Sequence, residues 1–138
     1  MTDFIKPLPH TDQPLTAPYW EGTAKGELKI KKCQSCGSLQ FPPREMCKRC
    51  HSQDFDWVAA SGKASLFTYS PAITPAHPSF KDDAPYAVVI VELEEGPRML
   101  GLATNVAVDK LEIGMPMQPV YHKASDDVTL VYWEPAAA

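Results

Sequence analysis

Four cysteines, the only ones in a chain of 138 residues, fall as C-x2-C-x10-C-x2-C at Cys33, Cys36, Cys47 and Cys50. Each two-residue spacing lets the backbone fold back so that both sulfurs face one point, and four thiolates are enough to close a tetrahedral site around Zn2+. A thioredoxin-like redox pair would need only one such motif. Iron uses the same four ligands, and spacing does not separate the two metals. With zinc bound, protein sulfur fills every position and leaves no place for water or substrate, so the expected role is structural. Metal-binding free energy of roughly 10–16 kcal/mol can hold together a ribbon too small to bury a core of its own. Gly37 follows the first pair, where its freedom suits a knuckle turn, but His51 follows the second. His51 reads as a surface residue in a less ideal turn, with a spare metal ligand as the alternative.

With all cysteines committed to metal, no thiol remains as an acyl-transfer nucleophile. The chain has no G-x-S-x-G elbow, no H-E-x-x-H helix and no G-x-x-x-x-G-K-[ST] phosphate loop. His10, His77 and His122 are scattered over expected loops and one strand, and read as surface or packed residues. Glu92 and Glu94 share the solvent face of a strand. These features point away from an independent enzyme.

The elements that must position the cysteines are punctuated by proline, 14 in 138 residues, about double average usage. Proline lacks a ladder donor, so the proline-free runs are the strand candidates. Thr16 is expected to cap a short helix with Pro18 in its first turn and Gly26 as its stop, docked by Tyr19 and Trp20. LKIKKC (28–33) alternates apolar and polar and delivers Cys33 to the first knuckle, FPPRE makes the return, and FDWVAA (55–60) leaves the second. Beyond Ser61-Gly62 come five strand candidates, at 63–70, 86–94, 98–105, 117–123 and 128–133. A turn at Glu95-Gly96-Pro97 joins the second and third, and a helical turn within 108–115 follows the third. Five short strands with that connection match an OB-fold, a small, partly open Greek-key barrel. The fold class is therefore mainly β, with an N-terminal helical segment (1–27), a zinc ribbon (28–60) and a five-stranded OB-fold barrel (61–138).

No apolar run approaches the ~20 residues that span a bilayer, and the first ten residues lack a signal peptide's basic start and apolar stretch. A cytoplasmic location is expected, where reducing conditions favour metal ligation over disulfides. Residues 1–57 carry 8 Lys/Arg and 7 Asp/Glu, and residues 58–138 carry 5 and 10. From Lys25 to Arg49 the ribbon has seven cations against Glu27 and Glu45. That basic patch suits nucleic acid, but the acidic barrel, with ASDD at 124–127 in the loop between its last two strands, would repel a phosphate backbone. A single-stranded nucleic-acid binder is the alternative. The other candidate surface is 71–85, PAITPAHPSFKDDAP, a long connection read as lacking structure of its own. Its prolines reduce the entropy lost on ordering, and His77, Phe80 and Lys81 can offer stacking and a cation to a nucleotide-like ligand. Tyr19, Trp20 and Trp133 are candidate partner anchors, with ordinary core as the competing role.

PYWEG (18–22), GELKIKKC (26–33), CG (36–37), FPPR (41–44), the second cysteine pair, SG (61–62), PYAVVIVELEEGPRML (85–100) and IGMP (113–116) stand in order along the chain. Together they resemble the zinc-ribbon plus OB-fold family catalogued as domain of unknown function thirty-five, from about Pro18 to Pro135. The chain departs from the usual pattern at CKRCH, where proline more often follows the third cysteine and glycine the fourth. The resemblance implies a rubredoxin-like ribbon with Cys33, Cys36, Cys47 and Cys50 as metal ligands, and an association with acyl-CoA metabolism. Such proteins look like small non-catalytic subunits that pair with thiolase-like enzymes, lipid-transfer-type aldolases or enoyl-CoA hydratases and help form the acyl-CoA site. With few cations on its barrel, the chain is expected to bind CoA weakly alone, a partner or the ribbon supplying charge.

Overall fold

A computed structural model describes residues 6–136; the first five and last two residues of the expected segments lie outside it. Helix α1 (Ala17–Ala24) starts at Thr16 with Pro18 in its first turn, although the Thr16 hydroxyl makes no capping bond. Its end is a Schellman turn, in which the Glu27 amide donates to Gly22 O (2.8 Å) and the Gly26 amide to Thr23 O (3.1 Å). Tyr19 stacks tilted on Phe41 with ring centroids 5.4 Å apart and packs against the core.

Strands β1 (Lys29–Cys33), β2 (Leu39–Gln40) and β3 (Phe55–Ala59) form an antiparallel sheet in the order β2-β1-β3. Leu28, just before β1, and Ile30 on it enter a core shared with the larger sheet, so the ribbon is packed on its neighbour. The chain then turns through Gly62 (φ +86°). Glu95 accepts from the Ser61 amide at 2.7 Å, and the Glu94 amide donates to Lys63 O at 2.9 Å, which tie this turn to the hairpin turn around Glu95-Gly96-Pro97.

The second sheet contains β4 (Ala64–Ala72), β5 (Tyr86–Leu93), β6 (Arg98–Leu102), β7 (Pro116–Lys123) and β8 (Thr129–Pro135), ordered β6-β5-β4-β7-β8. These are the five expected strands in the expected order, with ends shifted by a few residues. β5 buries Ala87, Val89, Val91 and Leu93 on one face, the period-2 pattern that fixes its register. A bulge between Leu66 and Thr68 bends β4, which pairs with β5 along its length and with β7 only at Ala64 and Ser65. The sheet does not close fully: its two edges meet through a single parallel bridge, Ala103 to Trp133, with the Thr104 amide donating to Trp133 O at 2.8 Å. Trp133 is fully buried there, which decides for the core role over that of a partner anchor. Gly101 faces the indole, and a Cβ built on it would stand 2.8 Å from Trp133 Cδ1. The helical turn after β6 is a 3-10 turn of three residues, Val108–Lys110. The connection 71–85 is not structureless: β4 runs on to Ala72, and a 3-10 helix spans Pro78–Asp83.

Candidate metal centre and aromatic groove

The two cysteine knuckles repeat one geometry. In the first, the Gly37 amide donates to Cys33 O (2.9 Å) and the Cys33 amide to Ser38 O (2.9 Å); in the second, the His51 amide donates to Cys47 O (2.9 Å) and the Cys47 amide to Ser52 O (2.8 Å). Gly37 sits at φ +74° and His51 at φ +65°, so the histidine occupies a left-handed position that glycine fills in the other knuckle. The four sulfurs all lie within 4.8 Å of one another. Cys33 Sγ is 3.5 Å from Cys50 Sγ, and Cys36 Sγ is 3.7 Å from Cys47 Sγ. A tetrahedron with Zn–S bonds of ~2.3 Å has edges of about 3.8 Å, so this donor set fits a zinc ion. His51 is exposed and outside the ligand cluster.

Two of the sulfurs are biased toward thiolate: hydrogen bonds from the Cys50 and Arg49 amides bring the Cys47 thiol down to about 6, and the Cys36 amide lowers that of Cys33. The Cys50 thiol, although it faces the Ser52 amide, is pushed up to about 12 by the neighbouring cysteine sulfurs and by desolvation. Two polar side chains brace the knuckles. Gln40 on β2 accepts from the Lys48 amide (3.3 Å) through Oε1. Lys31 on β1, nearly buried, donates to Arg44 O (3.1 Å) and holds its ammonium 4.5 Å from the Phe55 ring centre and 5.6 Å from that of Trp57. Desolvation lowers its pKa.

Two open clefts mark the surface of the larger sheet. One, of about 820 Å3, lies where Gly26–Leu28, the turn at 59–64 and the start of β7 meet. Glycine, alanine and proline make up much of its walls, with Glu27, Ser61, Lys63, Gln118 and Tyr121 as the polar groups. The other, of about 520 Å3, crosses the outer surface where the β5–β6 edge approaches β8. Five rings line it, those of Phe80, Tyr86, Tyr121, His122 and Tyr132, with Lys6, Thr104 and Asn105 among the polar groups. Phe80 leans on Tyr86 (5.8 Å between centroids) and His122 on Tyr132 (5.5 Å). The Tyr86 hydroxyl accepts from the Ala76 amide (3.4 Å), which pins the 71–85 arm to the sheet. Lys6 lies over the Phe80 ring (5.1 Å) and pairs with Asp83.

Of the three residues singled out in the arm, Phe80 lines this groove. The His77 ring instead folds back on the 3-10 helix, where Nδ1 accepts from the Ser79 amide (3.1 Å) and lies 2.7 Å from the Ser79 hydroxyl. Lys81 is exposed and stands outside the lining. Sequence reasoning did not single out Tyr86, Tyr132 or Asn105. Tyr86 and Tyr132 occupy the positions that alternate with buried Ala87 and Trp133, a signal that marks them as outward-facing but not as neighbours of each other.

Comparison with known proteins brings the same two modules together. Residues 20–56 match the family model of the ChsH2 rubredoxin-like zinc ribbon domain, and residues 57–122 that of the ChsH2 C-terminal OB-fold domain. A DUF35 domain-containing scaffold protein of Methanocaldococcus jannaschii is 35% identical over 97 residues, which cover 70% of this chain and 68% of that protein. The chain belongs to the DUF35 family. This DUF35 protein is also 37% identical, over 118 residues and 86% of its length, to a probable enoyl-CoA hydratase alpha subunit of Thermomonospora curvata. It spans only 36% of that relative's length. A solved chain from an Ltp2-ChsH2(DUF35) aldolase superposes with a TM-score of 0.83 at 35% identity, covering 94% of this chain and 100% of that one. No helix among the described residues is long and apolar enough to cross a membrane.

Proposed function

We propose that this DUF35 protein is a non-catalytic accessory subunit that scaffolds a thiolase-like enzyme, a lipid-transfer-type aldolase or an enoyl-CoA hydratase and contributes to its acyl-CoA site. The observation that carries this reading is the superposition on the DUF35 chain of an aldolase over nearly the whole length of both. Relatives named as scaffold proteins support the non-catalytic role. In this reading the metal is zinc, held by Cys33, Cys36, Cys47 and Cys50, and it fixes the ribbon. The 71–85 arm, with His77, Phe80 and Lys81, borders the acyl-CoA ligand. The ribbon's cations or the partner supply the charge that CoA phosphates need. Tagging the chain in its native host, purifying it gently at low salt and weighing the assemblies by native mass spectrometry tests the proposal. A stoichiometric thiolase-like, aldolase or hydratase subunit is expected; recovery of the zinc-loaded chain alone or with nucleic acid overturns it.

A further inference from the structure

Among the described residues, the buried polar or charged side chains are those of Thr23, Lys31 and Gln40. Two of these three face each other. Lys31 on β1 is the ladder partner of Gln40 on β2, so both side chains leave the ribbon sheet on the same face. Burying an ammonium and an amide costs free energy unless each finds a partner, so a pair placed this way calls for a reason. Both reach one stretch of chain. Lys31 Nζ donates to Arg44 O (3.1 Å) and Gln40 Oε1 accepts from the Lys48 amide (3.3 Å), which grips residues 44–48 at both ends, with the ligand Cys47 between them.

The two knuckles differ at the point where this grip acts. In the first, the residue after the leading cysteine is Gln34, and its amide donates to a backbone carbonyl, Asp54 O (2.9 Å). In the second, the matching amide is that of Lys48, and among the described residues its acceptor is the Gln40 side chain instead of backbone. The next amide along, that of Arg49, donates to Cys47 Sγ (3.4 Å), so the placement of Lys48 carries directly to the ligand sulfur. Gln40 Nε2 is itself buried with no partner. The side chain is therefore kept inside for its acceptor end, at the cost of an unmet donor.

We infer that Lys31 and Gln40 are positioning residues for the metal: together they close the second knuckle and present Cys47 to the ion. The inference rests on the four-cysteine metal assignment and not on the accessory role.

Zinc and cobalt(II) binding by the full chain tests it. Gln40→Leu removes the acceptor at similar volume, and zinc binding, read by competition against a chromophoric chelator, is expected to weaken about ten-fold or more, the scale for a residue that orients a metal ligand. The cobalt form of this variant should lose thiolate-to-cobalt absorption, falling toward that of three thiolates as Cys47 leaves the ion. Lys48→Pro removes the amide hydrogen that needs the acceptor. Adding it to Gln40→Leu should therefore restore affinity and spectrum to those of Lys48→Pro alone. Lys31→Met keeps the stem and drops the ammonium. Its loss of affinity combined with that of Gln40→Leu should be smaller than the product of the two, because both side chains hold one segment; it also carries the test alone if Gln40→Leu does not fold. Parental affinity and an unchanged spectrum in Gln40→Leu, or in Lys31→Met where that variant stands in, overturn the inference. So does a loss in Gln40→Leu that Lys48→Pro leaves untouched, which is the mark of packing alone. A parent chain whose cobalt form lacks four-thiolate absorption overturns the inference together with the metal assignment beneath it, whereas a parent that shows it beside unaffected variants leaves that assignment standing and sinks the clamp.

Discussion

Replacing His51 with glycine separates backbone strain from metal ligation. His51 holds φ +65° in a knuckle whose hydrogen bonds match those around Gly37 at φ +74°. A residue with a Cβ pays roughly 1–2 kcal/mol in this left-handed conformation, and glycine loses roughly 0.5–1 kcal/mol more conformational freedom on folding. The difference favours His51→Gly by about 0.5–1 kcal/mol, which corresponds to roughly two- to five-fold tighter zinc binding if the gain falls on the metal-organised state. Gly37→Ala reverses the terms and weakens binding by a similar factor. Competition against a chromophoric chelator at fixed pH, with urea unfolding in parallel, reads both variants. If His51→Gly instead bound zinc ten-fold or more weakly, the imidazole would be a ligand and the assignment of four cysteines would be wrong.

Metal removal by a strong chelator is expected to abolish amide protection in β1, β2 and β3 before that in β4–β8, as followed by NMR hydrogen exchange; simultaneous loss throughout would contradict a metal-held ribbon. Gly101→Ala drives a methyl into the fully buried Trp133 at the point where the sheet edges meet. A cost of about 1–3 kcal/mol is expected, seen as a melting temperature lower by at least ~3 °C, and an unchanged value would mean that the bridge region yields freely. Hydrogen bonds from Asn105 and Gln118 hold the Glu134 carboxyl below its ordinary value. Because the folded pKa is the lower one, the associated stability is fully present above the unfolded pKa and is lost as pH falls through the folded value. An NMR titration in which Glu134 titrates at or above the ordinary value refutes this, and Asn105→Ala should raise it.

The metal site was legible in the sequence because C-x2-C is a local device: two residues of backbone are enough to aim both sulfurs, and the second pair repeats the first. The strands of the larger sheet were equally legible, since turn residues and prolines bound them and β5 alternates strictly between buried and exposed positions. Trp133 shows where that reasoning stopped. Its sequence neighbours allow a surface anchor or a core residue, and only the meeting of β6 with β8 buries it beneath Gly101. The arm at 71–85 was misread for a related reason, because it is held by the Tyr86 hydroxyl at the Ala76 amide and by Phe80, in its 3-10 helix, leaning on that ring. The sequence by itself determined which residues bind metal, which runs form strands and in what order. Tertiary structure alone decided that Phe80, Tyr86, His122 and Tyr132 share one groove, because they come from four elements whose approach depends on the bulge in β4 and the incomplete closure of the sheet.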